Sequence, residues 1–214
     1  MLKIIFISDY VCPYCLVAKE ALKQALWETG LEAQITWKPF ELTKEPRPRV
    51  DTYHDEKRKS HYQILIEPCR QLGLDMKLPP AVVPRPYTRL AFEGWFYACD
   101  HDAGDAYNEL IYRAYFIDEK DIGKIAVLAD LAESIGLDRV DFTAALENGV
   151  YSEAEKAAVA ETESIWQPKG VPTIYINDEK IEIREYTKDE MIRILLYHDL
   201  AEGDGFFCGP DGCG

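Results

Sequence analysis

A nearly continuous apolar run, Leu2 to Ile7, is followed after Ser8 by Cys12-Pro13-Tyr14-Cys15, and from there Leu16, Ala18, Leu22, Ala25 and Leu26 recur at helical spacing. An Ile-rich run without alternation predicts a strand buried on both faces, and therefore central in a sheet. The helix is expected to stop at Thr29 and Gly30, because glycine enters the left-handed conformation at a helix C-terminus without steric cost. Ala33, Ile35 and Trp37 then alternate with Gln34 and Thr36, the period of a second strand. Strand, helix and strand in such a short stretch predict a βαβ unit with parallel strands and a right-handed crossover.

After Pro39 the pattern changes. Thr43 to Arg49 mixes charges with prolines and reads as a loop leaving the sheet, and the following hundred or so residues read as helical. Ile125, Leu128, Ala129, Leu131, Ala132 and Ile135 form one helical stripe ended by Gly136; Phe92, Trp95, Phe96 and Cys99 form another. Pro79, Pro80, Pro84 and Pro86 interrupt the block. Sheet character returns at Thr173 to Ile176, and a polar turn, Asn177 to Lys180, is expected to lead into a strand carrying Ile181 and Ile183. A last helix is expected from Lys188 to about Leu200, with Met191, Ile192, Leu195 and Leu196 inward. The expected organisation is a sheet-bearing unit made of 1–45 and 168–202, a helical insertion at 46–167, and a Gly- and Cys-rich tail at 203–214.

A formal net charge of −14 over 214 residues would repel phosphate backbones and anionic head groups, so neither nucleic acid nor a membrane surface is expected as a partner. Met1 to Ser8 lacks the layout of a signal peptide, and no apolar run is long enough to span a bilayer, so a cytoplasmic location is expected.

The chemistry concentrates in the cysteines. At the first turn of a helix, unpaired N–H groups and the dipole favour an anion, so Cys12 is expected to be the more exposed, nucleophilic thiolate. Pro13 suits a first-turn position, where no N–H is needed. Cys15, one turn further in, is placed to attack a mixed disulfide formed at Cys12. Gly170-Val171-Pro172-Thr173 leads into the third strand with an X-Pro bond that is a candidate for the cis form. Cys69 and Cys99 read as buried small hydrophobes. Cys208 and Cys213, separated by a flexible stretch with Gly209, Pro210 and Gly212, suit a small disulfide loop or a metal clamp. A four-thiolate zinc site built from Cys12, Cys15, Cys208 and Cys213 is the structural alternative, disfavoured because zinc knuckles sit on short turns rather than behind a buried strand. No metal and no cofactor is therefore expected. Asp100, Asp102 and Gly104 lack the acidic twelfth residue of a calcium loop, Ile111 standing there, and read as a helix-ending turn. His54, His61, His101 and His198 have no metal-ligand spacing, and Tyr53, Tyr62, Trp95 and Tyr97 read as core aromatics.

Strand, C-P-x-C, helix, long helical insertion and G-V-P-T before a hairpin resemble the DsbA-like branch of the thioredoxin superfamily over nearly the whole chain. Trp37-Lys38-Pro39-Phe40-Glu41-Leu42, Arg113-Ala114-Tyr115-Phe116 and Asp121-Ile122-Gly123 resemble its FrnE-type cytosolic subgroup. The resemblance implies an α/β thioredoxin fold (βαβ-ββα) with a large all-helical insertion between its halves. It implies Cys12 as nucleophile, Cys15 as resolving thiol and a cis Pro172 lying against them, with Pro13, Tyr14, Val171 and Thr173 beside the docked substrate backbone. Tyr14 departs from the His of strongly oxidising members, which points to reduction or isomerisation of protein or peptide disulfides, with glutathione as an alternative partner. A C-terminal C-x4-C is also similar, and implies that Cys208 and Cys213 exchange electrons with the first pair. Kappa-class glutathione transferases and hydroxychromene carboxylate isomerases resemble this topology but carry Ser at the nucleophile position and lack the second Cys. A chaperone that grips unfolded chains without thiol chemistry is the other alternative.

Overall fold

The computed structural model describes residues 1–203. Four strands form one sheet in the order β2-β1-β3-β4. β1 (Leu2–Ser8) is central, paired in parallel with β2 (Ala33–Pro39) from Leu2↔Ala33 to Ser8↔Pro39, and antiparallel with β3 (Thr173–Ile176) from Ile4↔Ile176 to Ile7↔Thr173. Leu2, Ile4 and Phe6 on one face are fully buried; on the other, burial grows from exposed Lys3 to buried Ile7, so the strand is covered on both faces only at its C-terminal end. The crossover is α1 (Pro13–Thr29), which ends at Gly30 with φ 68°.

The hairpin is tighter than its sequence suggests. Asn177 and Asp178 both take positive φ, 50° and 66°, and turn the chain in two residues, as hairpins joined by short asparagine- or aspartate-rich loops do. β4 is therefore Glu179–Lys180, two residues earlier than expected, and Ile181 and Ile183 follow it. Asn177 also accepts the Lys3 N–H at 2.9 Å, which ties the turn to β1. α9 (Lys188–Gly203) closes the fold and packs on α1.

Between β2 and β3 the insertion runs through α2 (Glu56–Tyr62), α3 (Ile66–Leu72), α4 (Arg89–Cys99), α5 (Gly104–Phe116), α6 (Ile125–Ser134), α7 (Arg139–Glu147) and α8 (Ser152–Ile165). The prolines near 80 keep 74–88 out of helix, and Asp100 to Ala103 is the expected turn, here between α4 and α5. α8 packs on the outer strand β2, where Lys38 Nζ meets Glu161 Oε2 at 3.1 Å. One hydrophobic cluster is continuous from the sheet into the insertion, with Tyr107, Tyr112, Tyr115, Phe116 and Phe142 among its largest buried side chains.

α4 corrects one expectation. Its buried face carries Ala91, Phe92, Gly94, Tyr97 and Ala98, Trp95 and Phe96 are half-buried, and Cys99 is exposed rather than a core residue. The small residues explain the rotation. A Cβ built at Gly94 would lie 2.2 Å from Tyr107 Oη and 2.8 Å from Phe142 Cζ, so the helix turns its least bulky stripe to its neighbours. Cys69, in α3, is buried as expected, with its Sγ 3.6 Å from Met76 Sδ.

Gly94→Ala is expected to destabilise the fold by about 2 kcal/mol, because overpacking of a filled core outweighs the roughly 1 kcal/mol by which alanine favours a helix. Urea unfolding monitored by circular dichroism tests this, and an unchanged or higher midpoint would refute the tight α4–α5 seam.

Candidate active site

The central strand ends in a turn that delivers Cys12 to the N-cap of α1, in extended conformation (φ −93°, ψ 114°), with Pro13 as the first helical residue. The Cys12 N–H donates to the Asp9 carbonyl at 3.0 Å, and the Cys15 N–H donates to the Cys12 carbonyl at 3.1 Å. Both cysteines are free thiols. Cys12 is only 4% exposed and Cys15 0%, so the expected open nucleophile is in fact covered. The cover comes from the segment before β3: the Cys12 thiol donates to the Val171 carbonyl at 3.3 Å, and the Val171–Pro172 bond is cis. Burial pushes the Cys15 thiol well above its ordinary pKa, and the neighbouring Cys12 adds to the rise.

The remaining expected site residues gather around this pair. Pro13 is buried, while Val171 and Pro172 are half-buried and line a cavity of about 390 Å³ together with Tyr186, Arg184 and Lys169. Thr173 is buried and its hydroxyl donates to the Gly170 carbonyl at 2.8 Å, which shapes the loop. The Tyr14 hydroxyl donates to the His61 carbonyl of α2 at 2.8 Å, so this residue bridges the motif and the insertion. Burial, with the charge of Cys12, raises the Tyr14 phenol. Cys208 and Cys213 lie outside the described residues.

Two residues at this site carry no motif signature. Asp9 is fully buried at the end of β1; its Oδ2 accepts the Leu42 N–H at 2.7 Å, its Oδ1 the Val11 N–H at 3.3 Å, and its carbonyl the Tyr112 hydroxyl at 3.4 Å. Burial raises its carboxyl, opposed by the Leu42 bond and by the charge of Arg85. The sequence signal for it is a lone acid directly after an apolar strand and just before C-x-x-C. Tyr186 takes φ 55°, and its ring centroid lies 5.2 Å from that of Tyr14. Burial, then the charges of Cys12 and Cys15, push its phenol up to about 12.

Glu190 holds Tyr186 in place. Its buried carboxylate accepts the N–H groups of Arg184, Glu185 and Tyr186 at 2.8, 2.8 and 3.0 Å, while its own N–H donates to Thr187 Oγ1 at 3.2 Å. Thr187 thus caps the first turn of α9, and the Glu190 carboxylate reaches back past it to the three residues before the cap. Glu190→Ala is expected to cost about 2 kcal/mol, since hydrogen bonds to a charged group are worth more than neutral ones. Denaturant unfolding measures the cost, and a change below about 0.5 kcal/mol, the scale of an ordinary surface substitution, would show that the clamp is not needed.

Comparison with known proteins agrees with this architecture. Residues 3–187 match the DSBA-like thioredoxin domain family, and the chain belongs to it. It is 37% identical over 175 residues, 81% of this chain and 86% of the other, to protein YwbO of Bacillus subtilis (strain 168). Among solved structures it is similar to a "probable DsbA oxidoreductase" of Streptomyces coelicolor, with TM-score 0.74 and 21% identity, covering 100% of this chain and 99% of that one. A 2-hydroxychromene-2-carboxylate isomerase superposes with TM-score 0.72 and 17% identity (95% and 100% covered), and the cytosolic disulfide reductase DsbM of Pseudomonas aeruginosa with TM-score 0.68 and 15% identity (93% and 99% covered). At these identities the structural likeness establishes the fold, a thioredoxin fold with a helical insertion.

Proposed function

We propose that the chain is a cytoplasmic thiol/disulfide oxidoreductase of the FrnE type, reducing or isomerising disulfides of proteins or peptides through Cys12 and Cys15. The observation that carries the reading is the pairing of a helix-N-terminal thiol, Cys12, with a second thiol one turn deeper and with the Val171 carbonyl that precedes Pro172. In this mechanism the Cys12 thiolate attacks a substrate disulfide and forms a mixed disulfide beside Pro172. Cys15 then displaces the reduced product, and the protein is left with a Cys12–Cys15 disulfide. Val171 and Thr173 offer backbone groups to an extended substrate, and Pro13 and Tyr14 form the facing wall. Tyr14 supplies no cation to hold the thiolate, which supports reductase or isomerase activity over strong oxidation.

The isomerase fold is shared, so the choice between the two chemistries rests on the dithiol rather than on the fold. Glutathione is the recycling thiol or small substrate of this reading; a DsbM structure contains it. Cys208 and Cys213 serve as an auxiliary pair that exchanges with Cys12 and Cys15.

Equilibration with glutathione buffers, followed by mass spectrometry of the cysteine pairs, is expected to show a reversible Cys12–Cys15 disulfide. A potential of about −230 mV or lower marks a reductant, and one near −120 mV an oxidant. Cys15→Ser is expected to accumulate a mixed disulfide at Cys12, and Cys12→Ser to reduce activity to the uncatalysed rate. Thiols that stay reduced at every buffer ratio would sink the proposal. Changing Cys208 and Cys213 together to Ser is expected to slow multiple turnover while sparing the first; unaltered turnover would remove the relay.

A further inference from the structure

The cavity beside Val171 and Pro172 differs in charge from the molecule around it. The chain as a whole carries a formal net charge of −14. Among the described residues, the charged groups lining this cavity of about 390 Å³ are Lys169, Lys180 and Arg184, with Glu182 as their counterweight. Lys169 and Lys180 are exposed and have no ion-pair partner among the described residues. Arg184 meets Glu182 at 3.5 Å, but the two side chains are 81% and 80% exposed, and so open a pair contributes little. The cavity is a locally cationic spot on an acidic protein.

It adjoins the reacting sulfur directly. Val171, one of its lining residues, accepts the Cys12 thiol on its carbonyl at 3.3 Å. Tyr186, another, has its ring centroid 5.2 Å from that of Tyr14, and the charge of Cys12 acts on its phenol. The three cations stand on tied backbone. Lys169 precedes Gly170, whose carbonyl accepts the Thr173 hydroxyl at 2.8 Å; Lys180 in β4 pairs with Tyr175; the Arg184 N–H donates to Glu190 at 2.8 Å. Val171, Pro172, Ile181 and Ile183 add apolar surface between them. The volume is at the small end of ligand sites, which run from roughly 300 to 1,000 Å³, and so suits a side chain or a short peptide rather than a folded surface.

The other side of the dithiol is basic as well. α2, tied to the motif by the Tyr14 hydroxyl on the His61 carbonyl, carries Lys57, Arg58 and Lys59 in succession. Arg58 pairs with Asp55 at 3.2 Å and Lys59 with Glu56 at 2.9 Å, while Lys57 is exposed and has no ion-pair partner among the described residues. The charges of Cys12 and Arg58 both act on the Tyr62 phenol, so this run and the thiol share surroundings. At physiological ionic strength exposed charges are screened beyond about 8 Å, so a substrate arriving at Cys12 feels these near cations more than the distant acids.

We propose that the cavity selects disulfides bearing a carboxylate close to the sulfur, with Lys169, Lys180 and Arg184 as the recognition residues, a selection that rests on the oxidoreductase reading and names its substrate class. The Cys12 thiolate and such a substrate are both anions, and the cations offset their repulsion as the two approach. The thiolate forms a bond to one substrate sulfur, the substrate S–S bond breaks, and its electron pair leaves on the second sulfur, which takes a proton from water. Cys15 then displaces the first sulfur from Cys12. A carboxylate of glutathione and an Asp or Glu side chain beside a peptide cysteine offer the cavity the same chemistry.

The test is the rate at which the reduced full-length protein is oxidised by dithiodipropionate, hydroxyethyl disulfide and cystamine, which are anionic, neutral and cationic, read by acid quench, alkylation and mass spectrometry of Cys12 and Cys15. Dividing each rate by that of dithiothreitol with the same disulfide removes its intrinsic reactivity. The normalised rates are expected to fall in that order, with about tenfold between first and last, and to converge as salt rises from roughly 0.1 M to roughly 1 M, where the screening length shortens to about 3 Å. Lys169→Gln, Lys180→Gln and Arg184→Gln are each expected to lower the anionic-to-neutral ratio by about threefold, and Lys169→Glu combined with Lys180→Glu to reverse the order. All three side chains are exposed, and the salt series needs no variant. Oxidised glutathione and the disulfide-linked dimer of a short peptide with Glu beside its Cys separate the two sources, the cavity taking whichever loses rate in the Gln variants. Equal normalised rates for the three small disulfides, or an order that survives the triple Gln variant, would overturn the selection while leaving the oxidoreductase reading intact. Failure of every disulfide to oxidise Cys12 and Cys15 would remove both.

Discussion

Asp9 binds in several directions from one buried position. Its carboxylate takes N–H groups from the turn into α1 and from the loop after β2, and its carbonyl takes the Cys12 N–H and the Tyr112 hydroxyl of α5. A carboxyl in an apolar interior is tolerated only when its oxygens are satisfied, so these bonds are a condition of the fold and not an ornament of it. Through them the end of the central strand, the start of the redox helix, the second strand's exit loop and the insertion are fixed with respect to one another. The dithiol inherits its geometry from that junction, because the Cys12 N–H and its helix N-terminus hang from the same residue.

The helical insertion is joined to the sheet by packing that leaves little slack. In the seam between α4 and α5, Gly94 lies against the Tyr107 ring, and the buried face of α4 also carries the small residues Ala91 and Ala98. Interiors of this density transmit displacement rather than absorb it. α5 carries Tyr112 to the Asp9 carbonyl, where its hydroxyl lies within reach of the charges of Cys15 and Cys12, so the insertion supplies part of the surroundings of the thiols.

Much of this was legible in the chain itself. The first strand, its helix and the second strand follow from an Ile-rich run, a 3.6-residue stripe ended by Gly30 and a period-two alternation, and all three stand where those patterns place them. The C-P-Y-C motif and the Gly-Val-Pro-Thr segment are far apart in sequence but meet as the family resemblance implied. Asp9 was not legible, since its role depends on Leu42, Arg85 and Tyr112, which only tertiary structure brings near. Tyr186 was hidden for a different reason: a non-glycine residue with positive φ held by a side chain four positions later has no periodic signature. The short β4 and the exposure of Cys99 have local causes, the paired positive φ values at Asn177 and Asp178 and the small-residue face of α4.

The bond from Tyr14 to α2 ends on the main-chain carbonyl of His61, not on its imidazole. Because every residue type carries that acceptor, the side chain at position 61 is free to vary without touching the motif. The path of the backbone through 56–62 is not free. The second variable position of the C-x-x-C is thus coupled to the insertion by shape alone, and an inserted or deleted residue there would be felt at the thiols where a substitution would pass unnoticed.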